Sequence, residues 1–135
     1  MFNALAYYGW KVKDQVDNNE LCQLNHIQLI EISKILKDEN EKWSIENLLT
    51  SFKSDFDKTL CNVEIMEFVL NYPASIKSLW KNKRIYFLGT RFASPKGNLH
   101  MFPLISTRNN FNFSAGYRCA NDLHCKDSCD FIAVF

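Results

Sequence analysis

No stretch of this 135-residue chain is apolar for long enough to form a membrane-spanning helix: the longest runs, at 85–89 and 131–135, fall far short of the roughly 20 residues such a helix needs. Four glycines and three prolines leave little material for a Gly-rich phosphate cradle, and the sequence carries no Gly-x-Ser-x-Gly elbow, His-Glu-x-x-His helix or paired zinc knuckles. No cofactor is therefore expected. The opening residues place no basic side chain before their apolar part and no small-residue cleavage site after it, which argues against an export signal and for the cytoplasm. Five cysteines are an odd number, so reduced thiols are expected rather than a disulfide framework. The largest gap is electrostatic: between Glu67 and Asp122 there is no acidic residue at all.

What the chain does have is apolar and aromatic mass. Hydrophobic residues make up 47% of it and aromatics 14%, with eleven Phe, which excludes the disordered class because enough surface is available to offset chain entropy. One domain over residues 1–135 is the expectation at this length, with helices to about residue 83 and strands from 84 onward. That order predicts an α+β fold in which about four N-terminal helices pack on a C-terminal four-stranded antiparallel sheet. Leu5, Tyr8, Val12 and Val16 follow one helical face. Asn25 and Ser44 each precede an apolar stripe as N-caps, with Leu24/Leu29 and Trp43/Leu48 as hydrophobic staples. A third helix is predicted over 62–72, and a short fourth carries Ile76, Leu79 and Trp80. The period then changes to two. Strands are predicted over 84–92, 99–107, 111–119 and 131–135, the first two as a hairpin with Phe92 opposite Leu99, Arg91 facing His100 and Tyr86 facing Ile105. Pro103 removes a ladder donor, so its strand should lie at an edge or be bulged there.

Charge divides the chain. Residues 1–73 hold seven basic and twelve acidic side chains, whereas 74–135 hold nine basic and three acidic. Lys77, Lys81, Lys83, Arg84, Arg91, Lys96, Arg108 and Arg118 lie in or near the acid-free interval, interleaved with Tyr86, Phe92 and Tyr117. Phosphates need cations and bases need flat faces, so this composition predicts an interaction module that presents a basic, aromatic sheet face to an acidic protein or a nucleic acid. Strands are also depleted in Asp and Glu on propensity alone, and the acidic half could complement the basic half within one fold.

Two smaller constellations carry chemistry. His100, near Arg91 with Arg108 within reach on the sheet, can move a proton beside cations that hold a phosphate, which makes a metal-independent ribonuclease the alternative to a binding module. No carboxylate in the surrounding interval can serve as its base. Cys119, His124, Cys125 and Cys129 fall within eleven residues, yet only Cys125 and Cys129 have knuckle spacing, so metal binding is not favoured. The uncharged last five residues, 131–135, should pair within the sheet with Phe131, Ala133 and Phe135 on one side, or form a seam between two copies.

Overall fold

The structure, a computed structural model, describes residues 9–18, 26–36, 42–55, 58–71, 80–107 and 113–135. In chain order its elements are β1 (Lys11–Gln15), β2 (Gln28–Glu31), α1 (Ile32–Ile35), β3 (Lys42–Trp43), α2 (Ile45–Asp55) and α3 (Val63–Asn71). Six strands follow: β4 (Arg84–Tyr86), β5 (Thr90–Ala93), β6 (His100–Ser106), β7 (Ser114–Cys119), β8 (His124–Cys125) and β9 (Asp130–Val134). Seven strands make one sheet in the order β1-β5-β6-β4-β9-β2, with β7 on the other edge of β6, while β3 and β8 form a separate ribbon. Every pairing is antiparallel except β4 with β9, so the sheet is mixed.

This architecture overturns the expected α+β arrangement of about four N-terminal helices on a four-stranded antiparallel sheet. Two of the segments read as helical are strands. Residues 11–15 pair as β1 with β5, and 28–31 pair as β2 with β9, leaving only the single turn α1 of the helix expected after Asn25. Of the residues spaced as one helical face, Val12 lies in β1 and Val16 just beyond it: a short, exposed helix without tertiary partners is marginal, and pairing with β5 holds 11–15 extended instead. Leu5, Tyr8, Leu24, Asn25, Phe56, Tyr72, Ile76 and Leu79 lie outside the described residues, and so does the body of the fourth expected helix.

The other two helices follow their signals. Ser44 Oγ accepts the Asn47 N–H at 3.2 Å to open α2, and Asn62 Oδ1 accepts the Ile65 N–H at 3.1 Å to open α3. Ile45, Leu48, Leu49 and Phe52 turn one face of α2 inward, and Val63, Ile65, Met66 and Val69 do the same for α3. The sheet separates these helices. Tyr86, Phe102, Leu104, Ile132 and Val134 pack with α1, α2 and Trp43, whereas Ile85, Phe87, Phe92, Ile105 and Ala133 pack with α3 and Trp80. Alternate residues of β4, β6 and β9 thus fill opposite faces, as a sheet covered on both sides requires.

β9 lies inside the sheet between β4 and β2, with Ile132, Ala133 and Val134 fully buried. Phe131, Ala133 and Phe135 share the α3 side, as the alternation predicted. With both edges of β9 occupied, a seam between two copies has no open edge of this strand on which to form.

The hairpin forms with a different register. Phe92 faces Met101 rather than Leu99, and Tyr86 faces Leu104 rather than Ile105, because residues 87–89 stand as extra residues between β4 and β5. Pro103 sits opposite this excursion: its carbonyl accepts the Phe87 N–H at 3.0 Å, and the donor it lacks falls where the ladder is already broken. Cys61 C=O and Val16 N–H supply the end of the excursion with partners, the Gly89 N–H reaching Cys61 O at 2.8 Å and the Val16 N–H reaching Gly89 O at 2.7 Å, while the Cys61 N–H donates to Ala133 O at 3.1 Å. No helix among the described residues is long and apolar enough to cross a membrane.

Candidate functional site

The break in the β4–β5 strand opens the sheet on the α2 side. A cleft of about 310 Å³ lies there, floored by Leu49, Leu60, Leu88 and Phe102 and walled by Asp14, Lys53 and Arg91. Two of its lining residues, Gln15 and Val16, are held by an amide network: Asn18 Oδ1 accepts the Asn62 N–H at 2.7 Å, Asn62 Nδ2 donates to Val16 O at 2.8 Å, and Thr90 Oγ1 donates to Gln15 Oε1 at 2.9 Å. These contacts lock residues 15–18 against the start of α3 and hold one wall in place.

Arg91 is the hinge of the site's chemistry. Its guanidinium lies over the Phe102 ring at 4.8 Å, and its Nη1 donates both to Glu46 Oε1 and to His100 Nδ1, the latter at 2.8 Å. A guanidinium has no acceptor, so Nδ1 accepts and the neutral His100 ring carries its proton on Nε2. Arg91 does reach His100, although the residue paired with His100 in the ladder is Ala93. The carboxylate that the surrounding sequence lacked arrives from α2: Glu46 sits in the first turn of the helix, and Lys53, seven residues on, lies two turns along the same face.

A second polar group occupies the same side of the sheet near the start of β9. Arg84 Nε donates to Asp130 Oδ1 at 2.6 Å and Nη2 to Asp127 Oδ2 at 2.9 Å. Burial raises the Asp130 carboxyl, and Arg84 draws it back only in part. Arg118 Nη1 donates to His124 Nδ1 at 2.8 Å, and the Trp43 ring meets both His124 and Tyr86, at 5.1 and 5.8 Å between centroids. Burial, then Arg118, lowers His124, while Asp122 opposes them; burial, then Asp130, pushes Tyr86 up to about 12. Tyr86 Oη and His124 Nε2 are buried with no hydrogen-bond partner among the described residues.

The expected basic, aromatic face is therefore distributed rather than continuous. Arg84 and Arg91 are ion-paired by acids from outside the acid-free interval, Tyr86 and Phe92 are buried core residues, and Lys83 lies over the Phe131 ring at 5.1 Å. Tyr117 meets Phe92 edge-on at 5.8 Å and is pushed up to about 12 by burial, then Glu67. Lys81 and Lys96 are exposed, whereas Lys77 and Arg108 lie outside the described residues. Cys119, Cys125 and Cys129 form no disulfide, and burial, then Asp122, raises the Cys119 thiol. Those cysteines and His124 are not gathered into a set that could hold a metal, and no other His, Cys, Asp or Glu group among the described residues is.

Sequence reading missed Glu46, Lys53 and Asp14. The one local trace was a polar line at 46 and 53 beside the apolar stripe of α2, which also suits a solvated helix face. Compared with models of known protein families, with curated proteins and with solved structures, the chain gives no significant match.

Proposed function

We propose that the protein is a cytoplasmic binding module whose anionic partner is a nucleic acid, engaged one nucleotide at a time in the cleft between β5 and α2. The observation that carries this reading is the pairing, in one cleft, of two cations, Arg91 and Lys53, against the one carboxylate of Asp14, with a floor of Leu49, Leu60, Leu88 and Phe102. A phosphate on the cations and a base on the apolar floor satisfy both parts. The volume, about 310 Å³, is at the small end of ligand pockets and suits a single nucleotide unit. An acidic protein partner is less well served, because it needs a broad field of cations, and outside the cleft Arg84 is held by Asp127 and Asp130 while Lys83 lies over the Phe131 ring. The reduced thiols of Cys119, Cys125 and Cys129 suit the cytoplasm.

Titration of the full chain with a labelled single-stranded RNA oligonucleotide across a salt series tests this. Affinity should fall steeply with salt, and Lys53→Gln should weaken it and reduce the log–log salt slope by about one, as loss of one phosphate contact does. No binding at low salt, or a Lys53→Gln variant that binds as wild type does, overturns the reading.

A further inference from the structure

Three groups meet at one atom, Arg91 Nη1: the guanidinium itself, the Glu46 carboxylate and the His100 imidazole. Resting on the nucleotide-binding reading of the adjoining cleft, we propose that this triad is an acid–base site and that its substrate is RNA, cleaved by attack of the ribose 2′-hydroxyl on the neighbouring phosphorus. The triad holds a base, an acid and a phosphate-binding cation but no nucleophile, so a substrate that carries its own nucleophile matches it.

In the free protein both proton-transfer groups are held by Arg91. Two oxygens of a substrate phosphate take both N–H donors of Nη1, which a guanidinium offers readily to phosphate, and so release both partners. Glu46, exposed over 40% of its side chain, then faces solvent and substrate as a free carboxylate, and His100, no longer facing a donor at Nδ1, accepts a second proton. The 2′-hydroxyl gives its proton to a Glu46 carboxylate oxygen as O2′ bonds to phosphorus. The P–O5′ bond breaks with its electron pair on O5′, which takes the Nε2 proton of the His100 imidazolium. The products are a 2′,3′-cyclic phosphate and a free 5′-hydroxyl, with Glu46 protonated and His100 neutral until solvent restores them. Lys53, on the wall shared with Arg91, holds the flanking phosphate.

The test incubates the full chain with an end-labelled RNA oligonucleotide and with the same oligonucleotide carrying 2′-deoxyribose throughout, measuring binding and products in parallel. Wild type should bind both and cleave only the RNA, leaving cyclic-phosphate ends. Glu46→Gln and His100→Gln, which keep polar groups beside Arg91, should bind at least as tightly as wild type and cleave at least a hundredfold more slowly. Variants purified alongside wild type also expose any contaminating nuclease, because cleavage unchanged in both would overturn the proposal. RNA left intact by a wild type that binds it ends the catalytic proposal and spares the binding reading. Cleavage of the deoxy strand means that water, not the 2′-hydroxyl, attacks, and this too overturns it. Failure to bind either oligonucleotide removes both readings.

Discussion

At Gly89 the chain comes so close to its neighbour that no side chain can be accommodated. A Cβ there would stand 2.7 Å from both the carbonyl carbon and oxygen of Cys61, a backbone that is itself bonded to Gly89 and Ala133. Gly89→Ala must push the residue 61–62 backbone away from the sheet, breaking contacts on both sides of it. We expect a loss of about 2–4 kcal/mol, comparable to severe overpacking, seen as a lower midpoint in urea unfolding. Tyr86 makes the opposite case. Its hydroxyl is buried without a partner among the described residues, so the ring contributes packing while the Oη carries a desolvation cost. Tyr86→Phe should leave stability unchanged or raise it by about 1 kcal/mol in the same assay. A loss of that size would instead show a buried water bound to the Oη.

β9 shows what a strand gains from its place. It is paired on both edges, and its side chains enter the cores on both faces of the sheet. Truncation after Asp130 removes Ile132, Ala133 and Val134 from full burial and strips partners from β4 and β2 together. Each large buried aliphatic lost costs about 2–5 kcal/mol, against a total stability of about 5–15 kcal/mol for a domain. The truncated chain should therefore show no cooperative thermal transition by circular dichroism. A melt like that of the full chain would mean that β2 and β4 close the gap themselves. The β3–β8 ribbon predicts a pH effect instead. His124 is held neutral by burial and by Arg118, with Arg84 on the same side and Asp122 opposing, and its ring packs on Trp43. Because its folded pKa lies below its ordinary value, the unfolded chain binds the proton first. Stability is present above about pH 6.5 and is lost as pH falls below it. Asp130, raised in the fold, works in the other direction at lower pH, so the comparison is with His124→Gln. Between pH 7.5 and 5.5 the wild-type midpoint should fall further than that of His124→Gln; parallel curves would show that His124 is not the group responsible.

For the whole molecule, the division of charge along the chain is folded into internal complementarity. Glu46 reaches Arg91, and Asp127 and Asp130 reach Arg84, so acids distant in sequence answer the basic interval. Asp130 is 1% exposed, and a charge that deep cannot be left alone. Arg84→Met should cost about 3–5 kcal/mol, with most of it recovered in the double variant with Asp130→Leu, as happens when both members of a buried pair are replaced by apolar groups. Unfolding midpoints of the two singles and the double test this. If the double variant is as unstable as Arg84→Met, the pair contributes stability beyond its own neutralisation.

Composition and local pattern determined a good deal: the cap at Ser44, the apolar faces of α2 and α3, the β5–β6 turn, the side-to-side alternation of β9 and an irregular ladder beside Pro103. These rest on physics that acts within a few residues, where a hydroxyl meets an N–H or side chains alternate. The strands β1 and β2, the parallel joining of β4 to β9 and the arrival of Glu46 and Lys53 beside Arg91 were decided only by tertiary structure. Short segments such as 11–15 and 28–31 have weak preferences of their own, and the partner strand supplies the free energy that makes them extended. The candidate site followed the same rule. Its cation and imidazole lie nine residues apart on one hairpin, but its carboxylate is 45 residues away in the chain, and only the packing of α2 on the sheet brings them to one atom.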